Sequence, residues 1–388
     1  MKYWKMKLTC QSPIHIGSGD IYQKNQYVYE DDGKRAHIYF LNESKWAEFL
    51  EKEKLLDSFV SEIHRKFMHF SIYDFLNTSY RRNSCQQESL KGLMEKLIDD
   101  GVLSKPETAE VPYSKNSRNA LNDIHTFIKD SKGRMYVPGS SLKGAFRTAI
   151  LFAMIKKERK KYDKYWNDIA TAARSGKYLK QNIGNVLDRL ERELFIPIGE
   201  DRKQNMVNSY FRGLTVGDST VATLPGIIVQ KADLGEPEER PHAISLWREC
   251  MAPGDMVTFT LGIDTKKMEK VEISDTKGII RYLQDFVDFQ CDLLWKSFGD
   301  TNEIQEMQHT DLLLGGGAGF LSKSMIYALA PSYQSGLDVV KRLMAEQFKR
   351  GHHNQGEHIS PHTLKLAKRG NSYQVMGMCK LEVMEELC

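Results

Sequence analysis

Polar and apolar residues alternate near the start of the chain, over residues 5–9, as is typical of a half-buried strand. Two further short runs rich in strand-forming residues, 27–29 and 37–40, flank an Asp-Asp-Gly turn and predict a β-hairpin. Between residues 42 and 100 the apolar positions recur at helical spacing, and Gly101 ends the pattern. This stretch therefore predicts a helical insertion between strands.

The rest of the chain alternates between strand and helix patterns. Residues 104–122 are polar and turn-rich, which favours a surface loop. Residues 124–129 and 134–137 predict a second hairpin, and 247–251 and 256–263 predict a third across a Pro-Gly turn. The other predicted elements are strands at 213–216, 226–229, 363–366 and 373–383 and helices at 185–195, 279–298 and 337–348. Because strands and helices alternate once in each half, the sequence predicts an α+β protein of two domains, 1–200 and 205–388, with the insertion at about 42–100 in the first.

A strand, a tight glycine turn and a helix are predicted in succession at Tyr136–Val137–Pro138–Gly139–Ser140–Ser141–Leu142–Lys143–Gly144–Ala145–Phe146–Arg147. Ser140 or Ser141 is expected to cap the helix. The first helical turn carries N–H groups without intrahelical partners, and Lys143 and Arg147 project from one face directly behind them. Unpaired donors and two cations together predict an anion site, with phosphate as the usual anion. The alternative is a capped helix whose two cations only face solvent.

Two other glycine-rich loops follow predicted strands. They are Ser12–Pro13–Ile14–His15–Ile16–Gly17–Ser18–Gly19 and Leu312–Leu313–Leu314–Gly315–Gly316–Gly317–Ala318–Gly319–Phe320–Leu321–Ser322–Lys323. A dinucleotide fingerprint would need glycine in place of Phe320, and the chain contains no G-x-x-x-x-G-K-[ST] motif. One such loop is a turn by default. Three of them, each after a strand, predict a surface that follows a phosphate backbone, because glycines let the main chain approach a ligand closely.

The composition of the chain says more about its cellular compartment than about its ligand. The 388 residues carry a formal net charge of +4, so a nucleic-acid surface requires a local concentration of positive charge. The six cysteines lie far apart without a C-x-x-C pair, which argues against a disulfide framework or a zinc finger and for a reducing cytoplasm. The start lacks the apolar run of a signal peptide, and no apolar segment reaches the roughly 18–20 residues that span a bilayer. We therefore expect a cytoplasmic protein with no membrane partner.

The ordered set of three glycine motifs, at 12–19, 138–147 and 314–320, resembles the RAMP superfamily of CRISPR effector proteins. Within that superfamily the chain is similar to the subunit of type III-A (Csm) complexes that caps the assembly at the 3′ end of the guide RNA (crRNA). Two further segments support this resemblance: Trp247–Arg248–Glu249–Cys250 and Ser360–Pro361–His362–Thr363–Leu364–Lys365. The resemblance covers most of the chain and is least specific in the helical insertion.

The resemblance implies two ferredoxin-like (RRM-like) RAMP domains whose glycine loops and helix ends contact the crRNA backbone, with no cofactor, metal or catalytic residue. It implies other Csm subunits as partners, especially the backbone RAMP subunit and the small helical subunit. It also implies a part in crRNA maturation for antiviral defence, with host nucleases recruited to trim the 3′ end. Carried over by motif, the RNA-contact candidates are His15, Gly17, Ser18, Gly19, Gly139, Ser140, Ser141, Lys143, Arg147, Gly315, Gly316, Gly317, Gly319 and Lys323.

The rival interpretation is a metal-independent RNA endonuclease. His15, beside a glycine-rich loop, would act as general acid or base, and Lys143 or Arg147 would stabilise the charge that develops. However, His15 also lies between Ile14 and Ile16, where a ring that packs and hydrogen-bonds locally is the commoner outcome.

Two charged clusters carry weaker signals. The central helix runs into six basic residues between Lys156 and Lys164, which form either a solvated face or an RNA contact. Around Glu357, four histidines could bind zinc, but glycines and a proline mark a loop and no H-E-x-x-H helix is present. A solvated or RNA-facing loop is therefore expected there. The four histidines are His352, His353, His358 and His362.

Overall fold

Strands from both ends of the chain meet in the same sheets. The computed structural model describes residues 1–31, 36–80, 89–110, 122–197, 208–235, 240–348, 360 and 363–387. The strands of these residues are β1 Lys2–Cys10, β2 Gly17–Tyr22, β3 Tyr27–Asp31, β4 Ala36–Phe40, β5 Glu107–Glu110, β6 Ile124–Phe127, β7 Leu214–Val216, β8 Ile227–Leu234, β9 His242–Cys250, β10 Met256–Ile263, β11 Leu312–Leu313, β12 Leu364–Arg369, β13 Ser372–Val375 and β14 Met378–Leu387.

The α-helices of the described ranges lie between these strands. They are Glu43–Lys52, Leu56–Lys66, Ile72–Phe75, Leu90–Asp99, Gly139–Lys157, Asp163–Ser175, Leu179–Phe195, Thr265–Met268, Thr276–Phe298, Asn302–Met307, Ile326–Leu329 and Tyr333–Gln347. Leu76–Tyr80 adds a π-helical turn. None of the helices in the described part of the chain combines the length and the apolar character needed to cross a bilayer.

The smaller sheet contains five strands in the order β11-β14-β1-β10-β7. Its central strand, β1, pairs antiparallel with β10 on one side and with β14 on the other. The predicted alternation of this strand is confirmed, because Trp4, Met6 and Leu8 are buried and the residues between them are partly exposed. These side chains share one core with Phe146 and Ile150 of the helix Gly139–Lys157.

The larger sheet contains nine strands. Seven follow the order β2-β6-β9-β8-β5-β4-β3, and β12 and β13 extend the sheet beside β8. The first half of β8 pairs with β5 and its second half with β12, so the sheet divides at this strand. The predicted hairpin at 27–29 and 37–40 is confirmed as β3 and β4.

Two sheets with helices between their strands confirm the predicted α+β class, and they are consistent with two ferredoxin-like RAMP domains. Each sheet contains strands from both halves of the chain, because β1 lies between β10 and β14 in the smaller sheet and β5 pairs with β8 in the larger one. A division at residues 200–205 would therefore separate paired strands, and the domain boundary stays a prediction.

The Pro-Gly turn between β9 and β10 does not close a hairpin, so that prediction is wrong. β9 belongs to the larger sheet and β10 to the smaller one, where β10 pairs with β1 instead of β9. The Gly254 N–H donates to the backbone oxygen of Cys10 at 2.7 Å. The buried carboxylate of Asp255 accepts from the N–H of Thr223 at 3.0 Å and of Met256 at 2.9 Å. These hydrogen bonds stabilise the backbone where it passes from the larger sheet to the smaller one.

Two other predictions need correction. Glu107–Glu110 forms β5 inside the stretch predicted as a loop, and it pairs parallel with β8 and antiparallel with β4. Its four residues are too few to show a clear alternation, and 111–121 lie outside the described residues. Residues 134–137 form only the isolated bridges Lys129–Met135 and Tyr136–Val221 instead of a hairpin strand.

The helical insertion builds a core of its own. Trp46, Leu50, Phe59, Phe75 and Leu93 are buried together in it. The predicted helical region 42–100 is confirmed for the described residues, and 81–88 lie outside them. The remaining predicted strands and helices fall on observed elements, and the strand predicted at 373–383 is divided by a turn into β13 and β14.

Candidate nucleic-acid interface

The first glycine loop begins where β1 ends and leads into β2. His15 is 5% exposed, whereas Gly17, Ser18 and Gly19 are exposed at the start of β2. The Nδ1–H of His15 donates to the backbone oxygen of Glu249 at 2.8 Å. Burial lowers the pKa of His15 to about 4, so the ring is neutral at pH 7.

The last glycine loop lies directly against the first. The N–H of Gly316 donates to the backbone oxygen of His15 at 2.6 Å. A Cβ at Gly315 would lie 2.2 Å from that same oxygen. Only glycine therefore fits at position 315 where the two loops meet.

Gly317 and Gly319 continue this loop over cationic side chains. A Cβ at Gly317 would lie 2.5 Å from Nη1 of Arg248, and one at Gly319 would lie 3.9 Å from Cγ of Lys365. The φ angles of Gly317 and Gly319, +92° and +89°, lie in a region that L side chains rarely adopt. Arg248 is not among the contact residues predicted from the sequence. The available signal was an arginine close to the buried Trp247 within a strand pattern.

The helix after the central glycine turn begins at Gly139, and neither Ser140 nor Ser141 caps it, so that prediction is wrong. Pro138 is the N-cap residue and makes no side-chain hydrogen bond. The N–H of Gly139 donates to Oδ1 of Asp218 at 2.8 Å. A carboxylate of the chain itself therefore compensates the positive end of this helix.

Gly139 is also buried against the segment that follows β7. A Cβ at Gly139 would lie 2.2 Å from the backbone oxygen of Val216 and 2.7 Å from that of Gly217. The glycine at this position is therefore explained by a close approach of two backbones.

Lys143 and Arg147 both have partners within the chain. The Nζ of Lys143 donates to the backbone oxygen of Leu214 at 2.6 Å. Arg147 pairs with Glu191 and lies over the ring of Phe211. Burial, together with the charge of Arg147, lowers the pKa of Lys143. These contacts join the helix to its neighbours, and an RNA contact through the two cations stays a prediction.

The structure brings the first and last loops together and places the second at the end of β7. Gly377 connects the two loops, because its N–H donates to the oxygen of Pro13 at 3.0 Å and its oxygen accepts from the N–H of Leu314 at 2.8 Å. Within the described ranges, no hydrogen bond joins the second loop to either of the others. Lys323 is exposed at the end of a short helical turn after the last loop.

A buried carboxylate pair supports the first loop from behind. Glu249 is fully buried, its Oε2 accepts from the N–H of Phe127 at 2.7 Å, and its Oε1 pairs with Lys129. Burial, followed by the nearby charge of Glu249, raises the pKa of Glu107 well above its usual range. Because the backbone oxygen of Glu249 also holds His15, this group fixes the loop to the larger sheet.

Comparison with known families identifies the fold. A family model described as the RAMP superfamily matches residues 7–318, a range that includes the first two glycine motifs and most of the third. This chain belongs to the RAMP superfamily.

Proteins similar to this RAMP chain over most of their length carry the name "CRISPR system Cms protein Csm5". The Enterococcus italicus protein is 26% identical over 98% of this chain and 97% of its own length. The Mycobacterium tuberculosis protein is 25% identical over 99% and 98%. The Streptococcus thermophilus protein is 24% identical over 83% and 80%.

Two solved structures share the fold of this RAMP chain. A chain of a Csm–crRNA–target RNA ternary complex of a type III-A CRISPR-Cas system has a TM-score of 0.60 at 18% identity and covers 98% of this chain and 100% of that one. T. onnurineus Csm5 has a TM-score of 0.55 at 17% identity, with coverages of 97% and 100%. At these identities the likeness concerns the fold alone.

The basic run of this RAMP chain is largely paired with acidic residues, which favours a solvated face over an RNA contact. The pairs are Lys157–Glu272, Arg159–Asp163, Lys161–Glu158 and Lys164–Glu193. The predicted histidine-rich loop, with His352, His353, His358 and His362 around Glu357, lies outside the described residues. In the rest of the chain, as far as it is described, no group of three or more His, Cys, Asp or Glu side chains is arranged to hold a metal ion.

Proposed function

We propose that this chain is a non-catalytic RNA-binding subunit of a type III-A CRISPR (Csm) effector complex. In that complex it caps the 3′ portion of the crRNA and supports crRNA maturation in antiviral defence. Similarity along the whole chain to proteins named Csm5 supports the assignment to such a complex. A chain of a Csm–crRNA–target RNA complex with the same fold supports crRNA and other Csm subunits as partners.

The observation that carries the RNA-binding role is the junction of the first and last glycine loops. Exposed backbone of Gly17, Ser18 and Gly19 lies on one side of it, and the backbone of 315–319 lies on the other, joined through His15. A protein that holds RNA of any sequence contacts mainly phosphate and sugar, and bare backbone lets that chain approach closely.

The proposed RNA contacts comprise this junction and the helix start at the second loop. At the junction they are His15, Gly17, Ser18, Gly19, Gly315, Gly316, Gly317, Gly319 and Lys323. At the second loop they are Gly139, Ser140, Ser141, Lys143 and Arg147, whose contribution is expected to be smaller because the chain itself provides partners for Gly139, Lys143 and Arg147.

We propose that the neighbours of this subunit in the cytoplasmic complex are the backbone RAMP subunit and the small helical subunit. Recruited host nucleases would trim the crRNA while this chain protects what it covers. The geometry of His15 supports a non-catalytic role. Its Nδ1–H is bound to Glu249, and a neutral ring with a pKa of about 4 is a poor proton donor at pH 7. Purified protein should therefore leave RNA intact without metal, and cutting that disappears in His15→Gln would overturn this part of the proposal.

The capping role is tested by sequencing crRNA from complexes isolated with and without this subunit. Complexes that contain it should carry crRNA with defined 3′ ends, and complexes that lack it should carry crRNA with altered 3′ ends. The 5′ ends serve as the internal control, because the proposed contact concerns the 3′ portion. Identical 3′ ends in the two preparations would contradict capping.

A further inference from the structure

Three cationic side chains share one face of the larger sheet beside the last glycine loop. Arg248 of β9 lies opposite Val229 of β8 in the antiparallel ladder. Lys231 follows two residues later, at an irregularity of that ladder, and besides burial the charge of Arg248 contributes to lowering the pKa of this lysine. Lys231 in turn lies opposite Ala367 of β12, and Lys365 precedes Ala367 by two residues. Arg248, Lys231 and Lys365 therefore form a diagonal row across three adjacent strands.

Arg248 has no anionic partner in the described part of the chain. Its Nε and Nη1 are closed off from solvent, and neither meets a hydrogen-bond acceptor there. Glu249, the next residue, points to the opposite face of the sheet, where it pairs with Lys129. Among the described residues, the guanidinium is therefore partly buried without a counter-charge.

Asp233 provides a carboxylate on the same face, and the row already uses it. Lys365 approaches it to 2.8 Å and Lys231 to 3.7 Å. The three cations and Asp233 together carry a net charge of +2. Burial lowers the pKa of both Arg248 and Lys231, and the charge of Lys365 lowers that of Lys231 further. Because an unpaired, partly buried guanidinium is costly, the arrangement favours an anion that the described residues do not supply.

The last glycine loop presents its backbone beside this row. Gly317 lies against Nη1 of Arg248, and Gly319 lies next to Lys365. The N–H groups of Gly317, Ala318 and Gly319 donate to no acceptor among the described residues. Gly315, Gly317 and Gly319 have positive φ angles, and the residues between them do not. A backbone that alternates in this way can point successive N–H groups toward one anion.

We propose that Arg248, flanked by Lys231 and Lys365 and by the amides of the last glycine loop, binds a backbone phosphate of single-stranded RNA. The site rests on the proposed function, because it specifies how the RNA is held there. The arginine keeps its charge when partly buried and offers N–H donors to a phosphate, whereas the two lysines add charge without fixed geometry. An RNA chain fits better than an acidic protein segment, because its phosphates repeat along the row and unpaired amides accompany the cations.

The test measures binding of the full chain to a fluorescent oligouridylate of roughly 20 nucleotides by anisotropy across a range of salt concentrations. Arg248→Gln should weaken binding about tenfold and lower the slope of log affinity against log salt by about 0.7, the value for one lost contact on a single strand. Lys231→Gln and Lys365→Gln should each lower the slope by up to that amount. Arg281→Gln, an exposed arginine of the long helix Thr276–Phe298, is the matched control and should change neither quantity.

Two further variants separate charge from folding. Arg248→Lys keeps the charge and loses the planar guanidinium, so it should keep the wild-type salt slope while weakening binding. Gly317→Ala would place a Cβ 2.5 Å from Nη1 of Arg248, so it should weaken binding, and its effect should not add to that of Arg248→Gln. Circular dichroism verifies that each variant is folded.

The outcomes distinguish this site from the proposed function. Wild-type affinity and slope in folded Arg248→Gln would overturn the site and leave RNA binding by the chain intact. If Arg248→Gln binds RNA normally but fails to join the complex, the anion belongs to a partner protein, which also overturns the site. A wild-type chain that binds no RNA, alone or in the complex, would overturn both proposals.

Discussion

Replacing Gly139 with alanine should strongly destabilise the protein, although glycine-to-alanine changes inside helices usually stabilise. The added Cβ would lie 2.2 Å from the backbone oxygen of Val216 and 2.7 Å from that of Gly217. Neither atom belongs to a side chain that could rotate away, so the helix start would have to move off this segment. That movement would also break the hydrogen bond from Gly139 to Asp218.

The structure sets the size of this effect. Overpacking of this kind costs about 1–3 kcal/mol. Loss of a hydrogen bond to a charged acceptor costs about 1.5–3 kcal/mol. Gly139→Ala should therefore lower the free energy of unfolding by roughly 3–5 kcal/mol, a large part of the ~5–15 kcal/mol that stabilises a typical domain.

Gly144, five residues further along the same helix, provides the matched control. It is exposed, and a Cβ there would meet no atom within 4 Å. Gly144→Ala should raise the free energy of unfolding by about 0.5–1 kcal/mol. Urea unfolding followed by circular dichroism measures both changes. If Gly139→Ala unfolds at the wild-type urea concentration, or shifts in the same direction as Gly144→Ala, packing does not explain this glycine and a ligand contact would have to.

Three further predictions concern other parts of the molecule. Asp255→Ala removes the carboxylate that accepts hydrogen bonds from Thr223 and Met256 where the chain passes between the sheets, so it should lower the free energy of unfolding in urea by about 3 kcal/mol. Asp255→Asn keeps one acceptor oxygen and should lower it less. Equal losses in the two variants would contradict this role. Burial lowers the pKa of His15 from 6.5 to about 4, so the unfolded chain binds a proton at this histidine at a higher pH than the folded chain, and about 3 kcal/mol of stability should be lost as the pH falls from 6.5 to 4. His15→Gln should remove this part of the loss of stability at acidic pH. An unchanged dependence of stability on pH in this variant would be inconsistent with a buried neutral ring. Lys143→Ala combined with Arg147→Ala should lower the melting temperature, because both side chains bind neighbouring elements. The double variant should also lower the salt slope of RNA binding by about 1.4 if both side chains touch phosphates. A wild-type salt slope together with reduced stability would remove both residues from the interface.

Most elements could be predicted from local patterns because each carries its own signal. β1 alternates between buried and partly exposed residues, and the long helix Thr276–Phe298 repeats apolar residues at helical spacing. Strand pairing could not be predicted, since a turn signal such as Pro253–Gly254 does not determine whether the next strand pairs with the previous one. The distant strand β1 pairs with β10 instead. β5 was missed because its four residues show no clear period.

The candidate site shows the same division between local and long-range information. The glycine motifs were visible in sequence, but the contact between Gly316 and His15 joins residues 301 positions apart. Asp218 replaces the predicted serine caps from a loop 79 residues beyond Gly139. Arg248 is recognised as a candidate contact residue only from two structural facts: Gly317 lies against its guanidinium, and no described acceptor binds its Nε or Nη1. Such features depend on which distant segments meet, and this information is absent from any single stretch of sequence.

The most direct test of the proposed RNA surface is photo-cross-linking of the assembled complex carrying a 4-thiouridine-substituted crRNA, followed by mass spectrometry of the cross-linked peptides. Cross-links should concentrate on peptides containing residues 12–19, residues 315–323 and Arg248, where the first and last glycine loops meet. Cross-links confined to the helical insertion, with none on those peptides, would contradict the proposal that the glycine-loop junction holds the RNA.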